Sequence, residues 1–206
     1  MKKTLIMGMA LMLLATIVIA GQFSEPFKGL FGTRAQAEIC MGADTDGIAD
    51  ASNNYQCLTE DQLPKKAKDR IEGSINYYLV QPDGFMTANG AGGRALKITG
   101  LNPEKFYQIK LDSADTFEKT AFSTACPFPN QGVAWQCGTW NDGTRDIGFI
   151  VLETLKPNSN GVLMYNMPRP LALQQGVYDN VSLVITENEA PWKNVALSDL
   201  DFIVTG

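Results

Sequence analysis

Short alternating runs broken by turn residues govern what this chain can fold into. Ile75, Tyr77 and Leu79 alternate with Asn76, Tyr78 and Val80; Leu96 and Ile98 flank Lys97; Tyr107, Ile109 and Leu111 alternate with Gln108 and Lys110. Further apolar runs occupy 147–152, 162–165, 181–186 and 200–204. A period of two sends successive side chains to opposite faces, which suits half-buried strands. Pro82-Asp83-Gly84, Asn89-Gly90, Asn141-Asp142-Gly143 and residues 157–161 supply turn chemistry between the runs. About seven short strands joined in this way predict a mainly β fold over 75–206, an antiparallel β-sandwich of Ig-like or jelly-roll type. No 12-residue amphipathic stripe follows Arg70. Residues 38–74 read as irregular, with a short helix expected from Thr59 to Arg70. There Thr59 and Gln62 fit a capping box, and Pro64 limits the helix that follows.

The N-terminus sets the compartment. Lys2 and Lys3 precede an apolar run over residues 4–20, and Ala35-Gln36-Ala37 precedes the acidic Glu38. A basic tip, an apolar segment and a small-x-small site form the pattern of a secretory leader. Residues 1–37 are therefore expected to be a signal peptide or an N-terminal hydrophobic anchor helix. Three outcomes stay open: cleavage after Ala37, cleavage after Ala20, or no cleavage with residues 4–20 in a membrane. The run lies at the short edge of the ~17–25 residues that cross a bilayer core. Phe23, Phe27 and Phe31 recur at four-residue spacing, an aromatic stripe that Pro26 interrupts.

Export makes disulfides of Cys40, Cys57, Cys126 and Cys137 the expectation, since no C-x-x-C spacing points to zinc. Four cysteines allow three pairings; the sequence-local one joins Cys40 to Cys57 and Cys126 to Cys137. Residues 1–37 carry Lys2, Lys3, Lys28, Arg34 and Glu25, so without them the formal charge moves from −5 to −8. An acidic surface repels phosphate backbones, and no nucleic-acid partner is expected. Histidine is absent. That removes Ser-His-Asp and Cys-His catalysis, histidine-ligated zinc or copper, and histidine-ligated haem. No haem or nucleotide cofactor is expected, and carboxylate-only hydrolysis survives the exclusion.

Gly100-Leu101-Asn102-Pro103-Glu104-Lys105-Phe106-Tyr107-Gln108-Ile109-Lys110-Leu111 resembles the Gly-Leu-x-Pro-x-x-x-Tyr-x-Val stretch of fibronectin type III and related immunoglobulin-like domains. The resemblance implies a structural corner in which Leu101 and Pro103 turn the chain, and the Tyr107 hydroxyl bonds back to it. Residues 176–186, which open Gly176-Val177-Tyr178, are similar to a late strand of the same sandwiches. A shared architecture implies no activity. Asp44-Thr45-Asp46-Gly47-Ile48-Ala49-Asp50 resembles the calcium loops of thrombospondin type 3 and dockerin repeats. That implies calcium held by Asp44, Asp46, Asp50 and the Ile48 carbonyl. Calcium takes six to eight oxygens, and alternate residues of a tight loop can aim carboxylates at one centre. The full loop's first acidic position falls on Gly42 and its closing glutamate position on Asn53.

Two further groups bear on ligands. Trp135 and Trp140 lie in or beside the loop bounded by Cys126 and Cys137, where exposed aromatics next to Asn and Asp could stack on sugar rings. The alternative is that such aromatics plug the loop onto the body. Asp112, Asp115 and Glu118 are the available acid/base carboxylates, read from sequence as a solvated loop. The sequence thus points to a non-catalytic secreted or cell-surface protein, structural or adhesive, and a candidate subunit of an extracellular filament. It would self-associate through an edge strand or the N-terminal segment. Its alternatives are a carbohydrate-binding module for surface glycans and, third, a carboxylate-dependent glycoside hydrolase.

Overall fold

The computed structural model describes residues 34–44, 55–81, 85–86, 95–113, 116–125, 136–141, 146–166, 171–190 and 192–205. The expected membrane segment 4–20 and the Phe23, Phe27, Phe31 stripe lie outside them. In chain order the strands are β1 (Arg34–Asp44), β2 (Tyr55–Cys57), β3 (Glu72–Tyr78), β4 (Val80–Gln81), β5 (Phe85–Met86), β6 (Leu96–Thr99) and β7 (Tyr107–Ser113). Helix α1 (Thr116–Ala125) follows, then β8 (Gln136–Asn141), β9 (Asp146–Leu155), β10 (Leu163–Tyr165), β11 (Leu171–Ala172), β12 (Gly176–Glu187) and β13 (Asn194–Val204).

Alternation decides which side of each strand is buried. Ile75 and Tyr77 are buried on β3, and Leu96 and Ile98 on β6 either side of exposed Lys97. On β13, Leu200, Phe202 and Val204 point inward while Asp199, Asp201 and Ile203 point out. The inward side chains of all the long strands belong to one core. Each of the seven expected runs falls on strand residues, from β3 through β13, with Leu79 standing between β3 and β4 and Val162 just ahead of β10.

The strands hydrogen-bond in the order β10-β6-β3-β1-β13-β12-β7-β9-β8, with β2 added on β1 and β4 on β13; β5 and β11 form a separate ribbon. All pairings are antiparallel except β4 with β13. The result is a mainly β protein with a curled antiparallel sheet, a half-barrel. The two facing sheets of an Ig-like or jelly-roll sandwich are not shown, because β1 makes the path continuous. Its residues Arg34–Ile39 pair with β3 and Cys40 and Met41 with β13, so one strand joins what would otherwise be two sheets.

β1 runs across the boundary expected at the N-terminus. The boundary at residue 37 falls inside this strand, and 38–74 is not irregular at its start. Ala35, Ala37, Ile39 and Met41 face the core, alternating with Gln36, Glu38 and Cys40. The same small residues that suggest a peptidase site make a period-two strand. The helix expected from Thr59 to Arg70 reduces to one turn and a 3-10 turn (Ala67–Asp69). Gln62 Oε1 accepts from the Thr59 N–H at 2.9 Å, the returning half of the capping box, before Pro64 interrupts.

Helix α1 lies between β7 and β8, and at ten residues it is shorter than the stripe sought in the sequence. Phe122 is fully buried; its ring stacks on Tyr178 at 6.2 Å, and Tyr178 stacks on Phe202 at 4.8 Å. Close approach depends on Gly148 of β9. A Cβ there would lie 2.5 Å from Lys119 Cα and 2.8 Å from the Lys119 carbonyl oxygen, both backbone atoms of α1. Gly148→Val should therefore lift the helix and cost about 1–3 kcal/mol of stability by overpacking. Denaturant unfolding would measure it, and an unchanged midpoint would show that α1 does not rest on β9.

Candidate functional site

The Leu101, Pro103, Tyr107 corner is built from the β6–β7 connection. Leu101 and Tyr107 are buried, Pro103 is half-buried, and the Asn102 N–H donates to the Tyr107 hydroxyl at 3.0 Å. Burial pushes the Tyr107 phenol up, against the lowering effect of that bond. Gly161, at φ +71°, lets the β9–β10 loop pass beside Leu101, whose N–H donates to the Gly161 carbonyl at 3.1 Å. A second tyrosine is anchored with the roles reversed: the Tyr178 hydroxyl donates to the Gln174 carbonyl at 2.8 Å.

Cys40 and Cys57 form a disulfide with Cα atoms 5.6 Å apart, closing the segment that contains residues 44–50. Cys137 is also disulfide-bonded, and Cys126 lies outside the described residues. So do Asp46, Ile48, Asp50 and Trp135 of the expected calcium and sugar sites. The backbone of Asp44 ends β1 opposite Tyr55, and that of Trp140 pairs with Ile147 on β9. Their side chains lie outside the description. Among the described residues no group of three or more Cys, Asp or Glu is gathered as a metal site.

Two of the three weighed carboxylates are described, and neither is solvated. Asp112 is 3% exposed and Glu118 1%. Alternation puts Tyr107, Ile109, Leu111 and Ser113 of β7 on the core face and Lys110 and Asp112 on the other. Ser113 pairs with Gly148, on which α1 rests, so Glu118 approaches the sheet from the core face. Asp112 and Glu118 thus lie on opposite sides of the sheet. Glycosidase chemistry needs two carboxyl groups flanking one bond, and these do not flank a common space. The sequence reading missed their burial because neighbours in the chain give no sign of desolvation, which here is set by strands distant in sequence.

Among the described residues Asp112 has one counter-charge, Lys110 Nζ at 3.6 Å from Oδ2, and neither of its carboxylate oxygens has a hydrogen-bond partner. Val151, Val184 and Leu197 on the neighbouring strands share that face and are buried too. Desolvation pushes the Asp112 carboxyl above its ordinary 3.8, outweighing the opposing pull of Lys110. The folded state therefore holds this proton more tightly than the unfolded chain. Its contribution to stability is complete below pH 3.8 and is lost as pH rises through the folded value.

A different patch is exposed, and the sequence reading passed over it. β7 begins where β9 and β12 end, Tyr107 lying opposite Leu155 and Glu187, so Phe106, Lys156 and the β12–β13 hairpin meet at one end of the sheet. Phe106 is 49% and Trp192 54% exposed. The Asn188 N–H donates to the Phe106 carbonyl at 2.8 Å, and Gln108 Nε2 donates to Asn188 Oδ1 at 2.9 Å. Lys156 Nζ lies 5.8 Å from the Phe106 ring centroid and 3.7 Å from Glu104; Lys105 pairs with Glu187 at 2.6 Å. The hydrogen bond to Glu187 holds the Lys105 ammonium pKa above its ordinary value. The signal available in the sequence was Trp192 itself, a lone aromatic in an otherwise polar turn.

Comparison with protein-family models, with characterised proteins and with solved structures finds no match for the chain. Its function is therefore argued from its own residues.

Lys110→Met leaves Asp112 without its counter-charge. Stability at pH 7 should fall by about 3 kcal/mol, and most of that loss should be recovered below pH 3.8, the ordinary carboxyl value above which burial raises this group. Urea unfolding of both proteins at both pH values measures this. Equal losses at the two pH values would show that packing of the lysine stem, and not its charge, is responsible.

Proposed function

We propose that this chain is an exported, non-catalytic structural or adhesive protein, displayed at a cell surface or assembled into an extracellular filament. The observation that carries the reading is oxidation: Cys40 is bonded to Cys57, Cys137 is disulfide-bonded, and among the described residues no cysteine is free. Such bonds persist outside reducing compartments, and the basic, apolar N-terminus gives a route there. The two hydroxyl-anchored tyrosines, Tyr107 and Tyr178, favour kinship of the half-barrel with Ig-like sandwiches. Calcium at Asp44, Asp46, Ile48 and Asp50 would brace the segment inside the Cys40–Cys57 bridge. Separation of Asp112 from Glu118 weighs against the glycoside hydrolase. In cell fractionation the protein should appear outside the cytosol with no titratable thiol before reduction and four after it, the number of cysteines in the chain. Four thiols titrating in native cytosolic protein would end the reading.

The Phe106–Trp192 end of the sheet favours one alternative, a carbohydrate-binding module. Exposed aromatic rings beside amide side chains offer stacking faces and hydroxyl partners together. The candidate contacts differ from Trp135 and Trp140. Trp192→Ala should cut binding on a glycan array at least tenfold while leaving the unfolding midpoint unchanged. Absence of any glycan signal from the parent protein would remove this alternative.

A further inference from the structure

The position of β1 bears on where a leader is cut, a question that presupposes the export reading. We infer that processing occurs upstream of Arg34, after Ala20, and that Ala35-Gln36-Ala37 is a retained strand segment and not the cleavage site. Arg34, Ala35, Gln36 and Ala37 pair in register with Tyr78, Tyr77, Asn76 and Ile75 of β3. Ala35 and Ala37 pack against the core, and Gln36 between them is exposed, so the small residues follow the strand's own alternation.

Removal of residues 34–37 would strip one edge of β3 where the other edge offers little. β6 pairs with β3 from Glu72 to Ile75, and the Asn76 N–H reaches the Ala95 carbonyl just beyond it at 2.7 Å, so among the described residues β1 is the ladder partner of Tyr77 and Tyr78. Tyr77, 6% exposed and part of the core, lies in that stretch. A chain starting at Glu38 would begin in the middle of the strand that joins the two halves of the sheet. A leader ending at Ala20 has no such consequence. It follows the apolar run directly and closes Val18-Ile19-Ala20 on a small residue.

Intact mass and N-terminal sequencing of the full chain, expressed with its leader and recovered from outside the cytosol, test this. The expected N-terminus is Gly21. Ala20→Tyr, which places a bulky side chain at the cut, should leave a membrane-held precursor that keeps Met1; Ala37→Val, which a strand accepts, should leave the N-terminus at Gly21. Exported, disulfide-bonded protein starting at Glu38 would overturn the inference while the export reading stands. Exported protein that keeps Met1 would also overturn it. An intact chain in the cytosol with titratable thiols would remove the export reading and the inference with it.

Discussion

The half-barrel depends on one ladder. β1 is long enough to pair with β3 along its first half and with β13 at Cys40 and Met41, and so makes a single sheet of two strand sets. Those sets are unlike. On one side, β3, β6 and β10 are short and contribute Ile75, Tyr77, Ile98 and Leu163; on the other, β12 and β13 are the longest partners and contribute Tyr178, Leu183 and Phe202. Curling brings both sets of inward side chains into one core. A sheet that curls without closing leaves part of its inner surface to be covered otherwise, and α1 does this by laying Phe122 on the Tyr178–Phe202 stack. The Cys40–Cys57 bond then fixes β2 to β1 at the point where β1 passes to β13, where β2 also pairs. A cross-link over this separation in sequence stabilises by about 3 kcal/mol through the unfolded chain.

The polar groups follow from the same geometry. β7 lies between β12 and β9 and is buried on both faces, so residues that alternation turns away from the core still do not reach water. Lys110 and Asp112 are left to satisfy each other across 3.6 Å, an arrangement that costs more in desolvation than it returns. At the end of the same strand the chain leaves the sheet, and there the polar pairs are short and only part-buried, near the exposed Phe106 and Trp192. Among the described residues, one strand thus carries the most buried charge pair and opens at the most exposed aromatic rings.

Much of the fold was legible because period-two alternation is a strong local signal. Ile75, Tyr77, Leu96, Ile98, Tyr107 and Leu111 face the core as their spacing requires. The bond from the Asn102 N–H to the Tyr107 hydroxyl is local as well, acting over a few residues. What escaped was non-local. Ala35 to Met41 alternate as clearly as the other strands, but small residues after an apolar leader suggest a peptidase site first. α1 is too short to show a stripe, and its docking depends on Gly148, some thirty residues away in sequence. Whether strands close into two sheets or one depends on register along β1, which no local pattern carries. The burial of Asp112 and Glu118 is likewise set by neighbours distant in the chain. The exposed Trp192 could be recognised only once its hairpin had been placed beside Phe106.

Native-state hydrogen exchange at the β1 amides tests the central claim, that this strand makes one cooperative body of the two strand sets. Protection from Ala35 to Met41 should equal that of the β12–β13 ladder and rise and fall with it as denaturant is added. Rapid exchange at Ala35, Ala37 and Ile39 while β12 and β13 stay protected would contradict it, since the first strand would then be an appendage to a sheet that is stable without it.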